Sequence, residues 1–449
     1  MLPLHPHARL APHAEAVVPA CLPPPHPPQS TIQNPPNILF LLSDQWSGRA
    51  TDFSGRPAIP RTPALDALAA GGVRFDNAYC TYPLCAPARA SQLTGLMPHK
   101  TGIVSNRRPP DLDRRELPLA GEIFEAAGYD TGYFGKEHTF RLGYRGMNEL
   151  GSYQFSRPGY IADGCVLDPI FIRDAIRFIE RPREQPFFAV VSTINPHDTC
   201  IVPPKVDLGG KTVMDVTRTF YKDRQYLRGL ELPDPRPNRT PPPPPIRQVD
   251  PIQAGWTEDQ WRRYLAVYYL LLENVDWLLG LVLDALRRSG QEQDTLILFS
   301  SDHGDLMGAH QLVGKLTFHE ETMNVPFLIA YKGVIEPGHV DATHLISGED
   351  ILPTFCDYAG LQIPAVVTGR SLRPIIENKT APWREYLVAE LNNARMVRAS
   401  RYKYMRYSTK TDTHELLFDL ETDPGEEQPL PDTPEHTRIK HKLRNHLQQ

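Results

Sequence analysis

Three short runs of uninterrupted apolar residues constrain this chain more than anything else in it: Ile38 to Leu42, Phe187 to Val191 and Leu296 to Phe299. A fourth segment, Thr131 to Phe134, is shorter and more mixed. An apolar run without alternation is how a strand reads when both of its faces are covered, as in a parallel sheet packed between helices. Each of the four stops at polar residues: Ser43-Asp44-Gln45, Gly135-Lys136-Glu137-His138, Asn195-Pro196-His197 and Ser301-Asp302-His303-Gly304-Asp305. Helix signals separate them. Thr62-Pro63 predicts a helix start that Gly71-Gly72 ends, and Leu117 to Ala127 predicts an amphipathic helix ending at Gly128. Thr257 and Gln260 form a capping-box pattern for a long helix running to about Ser289-Gly290. The alternation predicts an α/β fold with a large, mixed but mostly parallel sheet sandwiched by helices. Ligands in such sheets bind outside the carboxyl ends of the strands, so the four polar tips are expected to line one crevice. Strand order is left open by this pattern.

A chain of 449 residues is too long for one hydrophobic core. The texture changes near Tyr386: Tyr386 to Ala389, Arg395 to Ala399, Tyr402 to Tyr407 and Glu415 to Leu420 are short, aromatic-rich segments separated by turns, and Thr433-Pro434 opens a terminal helix. The expected organisation is a proline-rich disordered leader over 1–36, a catalytic domain over 37–380 and a small α+β subdomain with an antiparallel sheet over 381–449. A proline-rich insert from Leu232 to Pro251, containing Pro241 to Pro245, reads as a surface loop or lid. A net charge of -5 gives no electrostatic case for nucleic acid. The six cysteines lack C-x2-C spacing and read as thiols. No stretch reaches 18 uncharged apolar residues; the best, Leu265 to Leu272, is bracketed by Arg263 and Glu273, so no membrane span is expected. The start of the chain has neither a basic n-region nor an apolar h-region, which sets cytoplasmic residence as the expectation. Nothing in the sequence sets an oligomeric state.

The strand tips carry chemistry. Asp44, Gln45, Asp302 and His303 make a mostly oxygen-donor set suited to a hard divalent ion such as calcium, magnesium or manganese. Separately, Leu84-Cys85-Ala86-Pro87-Ala88-Arg89 has the form Cys-x-Pro-x-Arg and runs into a small-residue segment that can start a helix and end it at Gly95. Taken singly each feature has an ordinary explanation: strand-end aspartates cap turns, and free cysteines are often buried. Their joint occurrence reverses that weighting.

In chain order, Asn37 to Gln45, Cys85 to Arg89 with Leu93-Thr94-Gly95, Gly135-Lys136-Glu137-His138, Pro196-His197, Ser301 to Asp305 with Lys315, and Leu417 to Glu426 resemble the successive motifs of the formylglycine-dependent sulfatases of the alkaline phosphatase superfamily. The resemblance implies an alkaline-phosphatase-like fold and a hydrolase of sulfuric esters, acting on a sulfated carbohydrate or another small organic sulfate. It makes Cys85 the precursor of formylglycine, installed by a formylglycine-generating enzyme, with the hydrated aldehyde as nucleophile and metal ligand. Asp44, Gln45, Asp302 and His303 complete the shell of one divalent ion, calcium first, magnesium or manganese as alternatives. Arg89 and Lys136 hold the formylglycine hydroxyls, His138 takes the proton that lets the sulfated intermediate collapse, and His197 and Lys315 grip the sulfate and protonate the departing alcohol. A sulfate ester is an anion attacked by another oxygen nucleophile, so cations around its equatorial oxygens and a metal at the nucleophile are what the reaction needs.

Three positions depart from the common pattern. Ala88 stands where many family members have serine. Glu137 fills the variable position of Gly-Lys-x-His, where it would tune the catalytic pair, bind a substrate amine or face solvent. Gln45 with His303 replaces the Asp and Asn of lysosomal-type sulfatases and resembles choline-sulfatase-like and phosphonate-monoester-hydrolase-like branches. The alternatives are therefore a phosphonate monoester or phosphodiester hydrolase using the same site, and an inactive sulfate-binding relative in which Cys85 stays a thiol. Candidate substrate contacts are Trp46, Arg49, Asp198, His310, His319, Asn392, Asn393 and Arg395, each next to a motif or on the expected subdomain edge.

Overall fold

The computed structural model describes residues 34–51, 60–152, 164–201, 255–409 and 411–448, with isolated positions between 233 and 246. Residues 1–33 of the expected leader and most of the proline-rich insert, including Pro243 to Pro245, lie outside the described residues. One mixed sheet organises the chain. Its strands are β1 (Asn37–Asp44), β2 (Val73–Phe75), β4 (Asp130–Gly135), β5 (Glu149–Leu150), β6 (Phe187–Pro196), β7 (Thr295–Ser301), β8 (Phe327–Tyr331) and β9 (His339–Asp341). Their order is β5-β4-β6-β1-β7-β8-β2-β9. All pairings are parallel except those of β8, which runs antiparallel to β7 and β2. The short β3 (Ala78–Tyr79) pairs with β10 (Ile346–Ser347).

The unbroken apolar runs follow from two covered faces. Ile38, Phe40 and Leu42 enter one core layer with Val190, Leu298, Ile351 and Phe355. Leu39 and Leu41 enter the other, with Ile172, Phe178, Leu272, Leu279 and Val282 from two helices. Those helices are Gly164–Glu180 and the 31-residue Glu258–Arg288. The latter opens on the expected capping box, with Gln260 N donating to Thr257 Oγ1 and Thr257 N to Gln260 Oε1. By length and composition it could cross a membrane, but its apolar stripe is spent on the sheet. It also corrects one expectation: Thr62 does not cap the helix Pro63–Ala70 through its side chain. Asp276 of the long helix does so instead, accepting from Ala64 N and Leu65 N. The helix expected over Leu117 to Ala127 begins at Ala120, because Pro118 and the extended Leu119 precede it.

The chain end forms an antiparallel sheet of β11 (Tyr386–Leu391), β12 (Ala394–Ala399), β13 (Tyr402–Ser408) and β14 (Thr413–Asp419), followed by the helix Pro434–Asn445. Thr433 caps that helix through His436 N, as its sequence predicts. The inner face of this sheet joins the main core through Leu387, Ala389, Met396 and Met405. The five cysteines among the described residues are all free thiols.

Candidate active site

Strand register assembles the site. Ser43 of β1 pairs with Ser301 of β7, which places Asp44 beside Asp302. Asp44 itself pairs with Pro196 at the end of β6, which brings His197 alongside. Gly135 of β4 pairs with Ser192, so Lys136 emerges next along the same edge. Only glycine fits at 135: its φ is +117° and a Cβ there would lie 1.8 Å from the Ser192 carbonyl oxygen. The order β4-β6-β1-β7 thus puts the four polar tips side by side, the one thing that periodicity had left open.

Cys85 arrives from above the sheet as the first residue of the helix Cys85–Thr94, every residue of which is buried. The helix ends at Gly95 with φ 66°, as the sequence suggests. Cys85 Sγ lies 3.1 Å from Lys315 Nζ, 3.3 Å from His303 Nε2 and 3.9 Å from Asp44 Oδ1. Burial and Asp44 oppose ionisation of this thiol, yet Lys315, Lys136 and His303 together hold it well below the usual thiol range.

Ligand atoms from Asp44, Cys85, Asp302 and His303 all lie within 4.8 Å of one another, in a fully buried group. His303 Nδ1 is 2.9 Å from the Gly304 carbonyl, which makes Nδ1 the protonated nitrogen and leaves the Nε2 lone pair facing the cluster, where it accepts from Lys315 Nζ at 3.1 Å. Gln45 Oε1 reaches the same place through its contact with Lys315 Nζ at 2.8 Å. Two carboxylates and an imidazole, with the Gln45 amide oxygen one lysine contact away, are donors of the kind a divalent ion takes.

Cations surround this cluster. Arg89 is fully buried and donates from Nε to Asp302 Oδ2 at 2.7 Å and from Nη2 to Asp44 Oδ2 at 3.1 Å. Its Nη1 is held by the Lys136 carbonyl at 2.7 Å and Ser192 Oγ at 2.8 Å. Arg89 thus braces the two carboxylates, whereas its expected contact was with the formylglycine hydroxyls. Lys136 Nζ lies 2.8 Å from Asp44 Oδ2. Burial opposes charge on Asp44, but Lys136, Lys315 and Arg89 keep its carboxyl well below the ordinary range. His197 Nε2 is 4.0 Å from Asp44 Oδ1. Burial first, then Lys136 and Lys315, depress its pKa to about 4, so it is a neutral imidazole at neutral pH. Lys315 shifts the other way, upward against its burial, through Cys85 and Asp44. Of the two groups expected at the leaving oxygen, Lys315 is the one that carries a proton at neutral pH. His138 is buried, and neither of its ring nitrogens has a hydrogen-bond partner among the described residues.

Glu137 does not face solvent, and its oxygens are taken by its own turn rather than open to an amine. It is completely buried, and its carboxylate accepts from Arg141 N at 3.0 Å, Gly143 N at 2.9 Å and the Thr139 hydroxyl. Around it the chain takes positive φ at His138, Phe140 and Arg141. Glu137 is the hub that folds this turn and thereby aims its neighbours Lys136 and His138.

Among the candidate substrate contacts, Trp46 packs edge-on against Phe299 with ring centroids 5.4 Å apart and is fully buried. It fills the core and offers no ring to a sugar. Arg49 pairs with Glu320 at 2.8 Å, and Asp198 is buried and accepts from Gly164 N. His310 and His319 stack on each other with centroids 3.9 Å apart. Asn392 and Asn393 are exposed at the tip joining β11 to β12, where Asn392 N donates to Tyr82 Oη at 2.9 Å, three residues before Cys85. Arg395 is half-buried and lies 3.7 Å from Glu390. The sequence reading missed Ser192, Asp168 and Tyr264. Asp168 accepts from Ile194 N and Asn195 N, fixing the end of β6 just before His197. It lies in an amphipathic helix and carries no motif, so no local signal marks it.

Comparison with known proteins agrees with this geometry. A family model described as Sulfatase matches residues 36–361, and one described as N-sulphoglucosamine sulphohydrolase, C-terminal, matches 308–449. The chain is 30% identical over 433 residues to a Delta 4,5-hexuronate-2-O-sulfatase of Bacteroides thetaiotaomicron, covering 91% of this chain and 87% of that one. It is 31% identical to an ulvan-active sulfatase of Formosa agariphila, covering 91% and 79% respectively. A solved 2-O GAG sulfatase superposes with a TM-score of 0.77 at 29% identity, covering 92% of this chain and 91% of that one.

Proposed function

This chain belongs to the sulfatase family, and from its site we propose that it hydrolyses a sulfate ester on an anionic saccharide, using formylglycine made from Cys85 and one divalent ion. The observation that carries the reading is the buried group of Asp44, Cys85, Asp302 and His303 enclosed by Arg89, Lys136 and Lys315. The names of two similar relatives, a Delta 4,5-hexuronate-2-O-sulfatase and an ulvan-active sulfatase, support a carbohydrate substrate. Calcium remains the first choice of ion, and cytoplasmic residence is part of the proposal.

Asp44, Gln45, Asp302 and His303, with the residue at 85, would hold the ion. When bound, it supplies a Lewis acid that lowers the pKa of the attacking oxygen and offsets charge on the sulfate. The formylglycine hydrate supplies an oxygen nucleophile with a second hydroxyl through which sulfate can be released. Around these, Lys136 and Lys315 place positive charge against the equatorial sulfate oxygens. Lys315 also delivers a proton to the departing alcohol oxygen, and neutral His197 hydrogen-bonds there. His138 receives the proton of the second hydroxyl. Arg89 holds both carboxylates in place so that neither turns toward the sulfate.

The test is inorganic sulfate released from sulfated uronate-containing disaccharides, sulfated hexosamines, choline sulfate and an aryl sulfate. The protein is co-expressed with a formylglycine-generating enzyme, with Cys85→Ala as control. Release lost in the control supports the proposal. Turnover of an aryl phosphonate without sulfate release would replace it with the phosphorus-hydrolase reading. A peptide mass showing Cys85 as an intact thiol, from a host that modifies other sulfatases, would replace it with an inactive sulfate binder.

A further inference from the structure

We propose that Asp305 is a positioning residue for the metal ligand Gln45, locking its side-chain amide with the oxygen toward the ion and the NH2 group away. The inference rests on the reading that Gln45 is a ligand. Gln45 is fully buried between groups of opposite demand. Its Nε2 donates to Asp305 Oδ2 at 2.6 Å, while its Oε1 accepts from Lys315 Nζ at 2.8 Å. An ionised carboxylate can only accept and an ammonium can only donate, so the amide has one permissible orientation. Cys200 Sγ, 3.3 Å from Nε2 and 3.6 Å from Oε1, tolerates either and decides nothing.

Asp305 is itself gripped. Tyr264 Oη lies 3.1 Å and 3.2 Å from its two oxygens, and Met307 N donates to Oδ1 at 2.7 Å. One helical turn on, Tyr268 Oη donates to the Gln45 carbonyl at 2.7 Å. Tyr264 and Tyr268 are four apart on the helix Glu258–Arg288 and so share a face. That face holds Gln45 twice, by its main chain directly and by its side chain through Asp305. Gln45 N also donates to Asp302 Oδ1 at 3.0 Å, with Gln45 at φ 73°. A neutral amide attracts a cation only through its oxygen. A glutamine ligand therefore needs an acceptor behind its nitrogen, which a carboxylate in the same position does not.

The experiment titrates Ca2+, and separately Mn2+, into the EDTA-stripped full chain by isothermal titration calorimetry. The proteins are wild type, Q45L, D305A, D305N and the Q45L/D305A double variant, with melting in EDTA as a check on folding. Loss of a residue that orients a ligand typically weakens metal affinity about 10-fold to 100-fold, and that loss is expected for D305A. D305N, which keeps an oxygen for Gln45 Nε2, should lose less. In the Q45L background D305A should add no further loss, because its effect runs through Gln45. Wild-type affinity in D305A overturns the proposal; should D305A fail to fold, D305L, which also offers Gln45 Nε2 no acceptor, takes its place and is read the same way. So does a D305A loss that persists in full on top of Q45L. If Q45L alone binds both ions like wild type, Gln45 is no ligand, and the failure lies with the metal-shell reading on which the proposal stands.

Discussion

Lys403→Met should destabilise the protein by about 3–5 kcal/mol, the usual consequence of removing one partner from a buried ion pair. Lys403 lies on β13 and is fully buried. Its ammonium is 2.7 Å from Glu320 Oε1, 2.7 Å from Glu426 Oε1 and 2.8 Å from the Phe318 carbonyl. Methionine preserves the chain length and the apolar contacts, so the loss isolates the charge. Glu320 would keep Arg49 at 2.8 Å and Tyr79 Oη at 3.0 Å, whereas Glu426 would keep only the Glu320 backbone N–H at 2.6 Å. The uncompensated carboxylate is then Glu426, and adding Glu426→Gln should recover most of the loss. Burial already pushes Glu426 up to about 7 despite Lys403, from an ordinary 4.5. Without the ammonium it would bind a proton more tightly still, so the deficit of the single variant should be small at pH 5 and full at pH 8. Urea unfolding midpoints at the two pH values measure this. A loss under about 1 kcal/mol at pH 8, or a double variant no more stable than the single, would refute the reasoning. The cluster also holds the segment behind Lys315, through the Phe318 carbonyl and the Glu320 N–H, so kcat should fall in the single variant and return in part in the double.

Three further outcomes are expected. Glu137→Ala removes three hydrogen bonds from the turn bearing Lys136 and His138, and should lower kcat about tenfold to a hundredfold through misplacement while leaving KM within a few-fold. Glu137→Gln, which keeps part of the set, should lose less, and steady-state sulfate release for the two variants checks the order. Burial and the adjacent Asp350 push Glu349 up to about 7 from 4.5. Its folded pKa is raised, so its contribution is fully present below about pH 4.5 and is lost as pH rises through 7, a change of about 3 kcal/mol. Glu349→Gln removes that dependence, and its melting temperature relative to wild type should rise between pH 5 and pH 8; a constant difference would contradict the shift. Finally, stripping the ion with EDTA should lower the melting temperature, and readdition at about 100 times Kd should restore about 2.7 kcal/mol.

Much of the candidate site was legible because its residues sit at the ends of strands whose apolar runs announce them. Asp44, His197, Asp302 and His303 are each marked by an abrupt change from buried strand to polar turn, and Cys85 and Lys136 by motifs of fixed spacing. The roles of Glu137, Asp168 and Asp305 were not legible in the same way. Each acts on backbone amides or side chains folded against it, and a carboxylate that organises a turn looks, in sequence, like one that faces water. Trp46 shows the converse: its place beside Asp44 and Gln45 made it a candidate substrate contact, and only Phe299 on the neighbouring strand shows that its ring is used up in packing.

By itself, then, the sequence determined the strands, the helices between them and the identity of the groups at each tip, because apolar periodicity, caps and turn residues act over a few positions. Tertiary structure alone decided that β4, β6, β1 and β7 lie side by side in that order. It also decided which way Arg89 and Gln45 point, and that the end of the chain clamps the segment carrying Lys315. The reason is physical: strand order, side-chain orientation and the neutralisation of a buried charge depend on partners far apart in the chain, as with Gln45 and Asp305, 260 residues apart. Their energies are those of hydrogen bonds and ion pairs formed only once water has been excluded from around both groups.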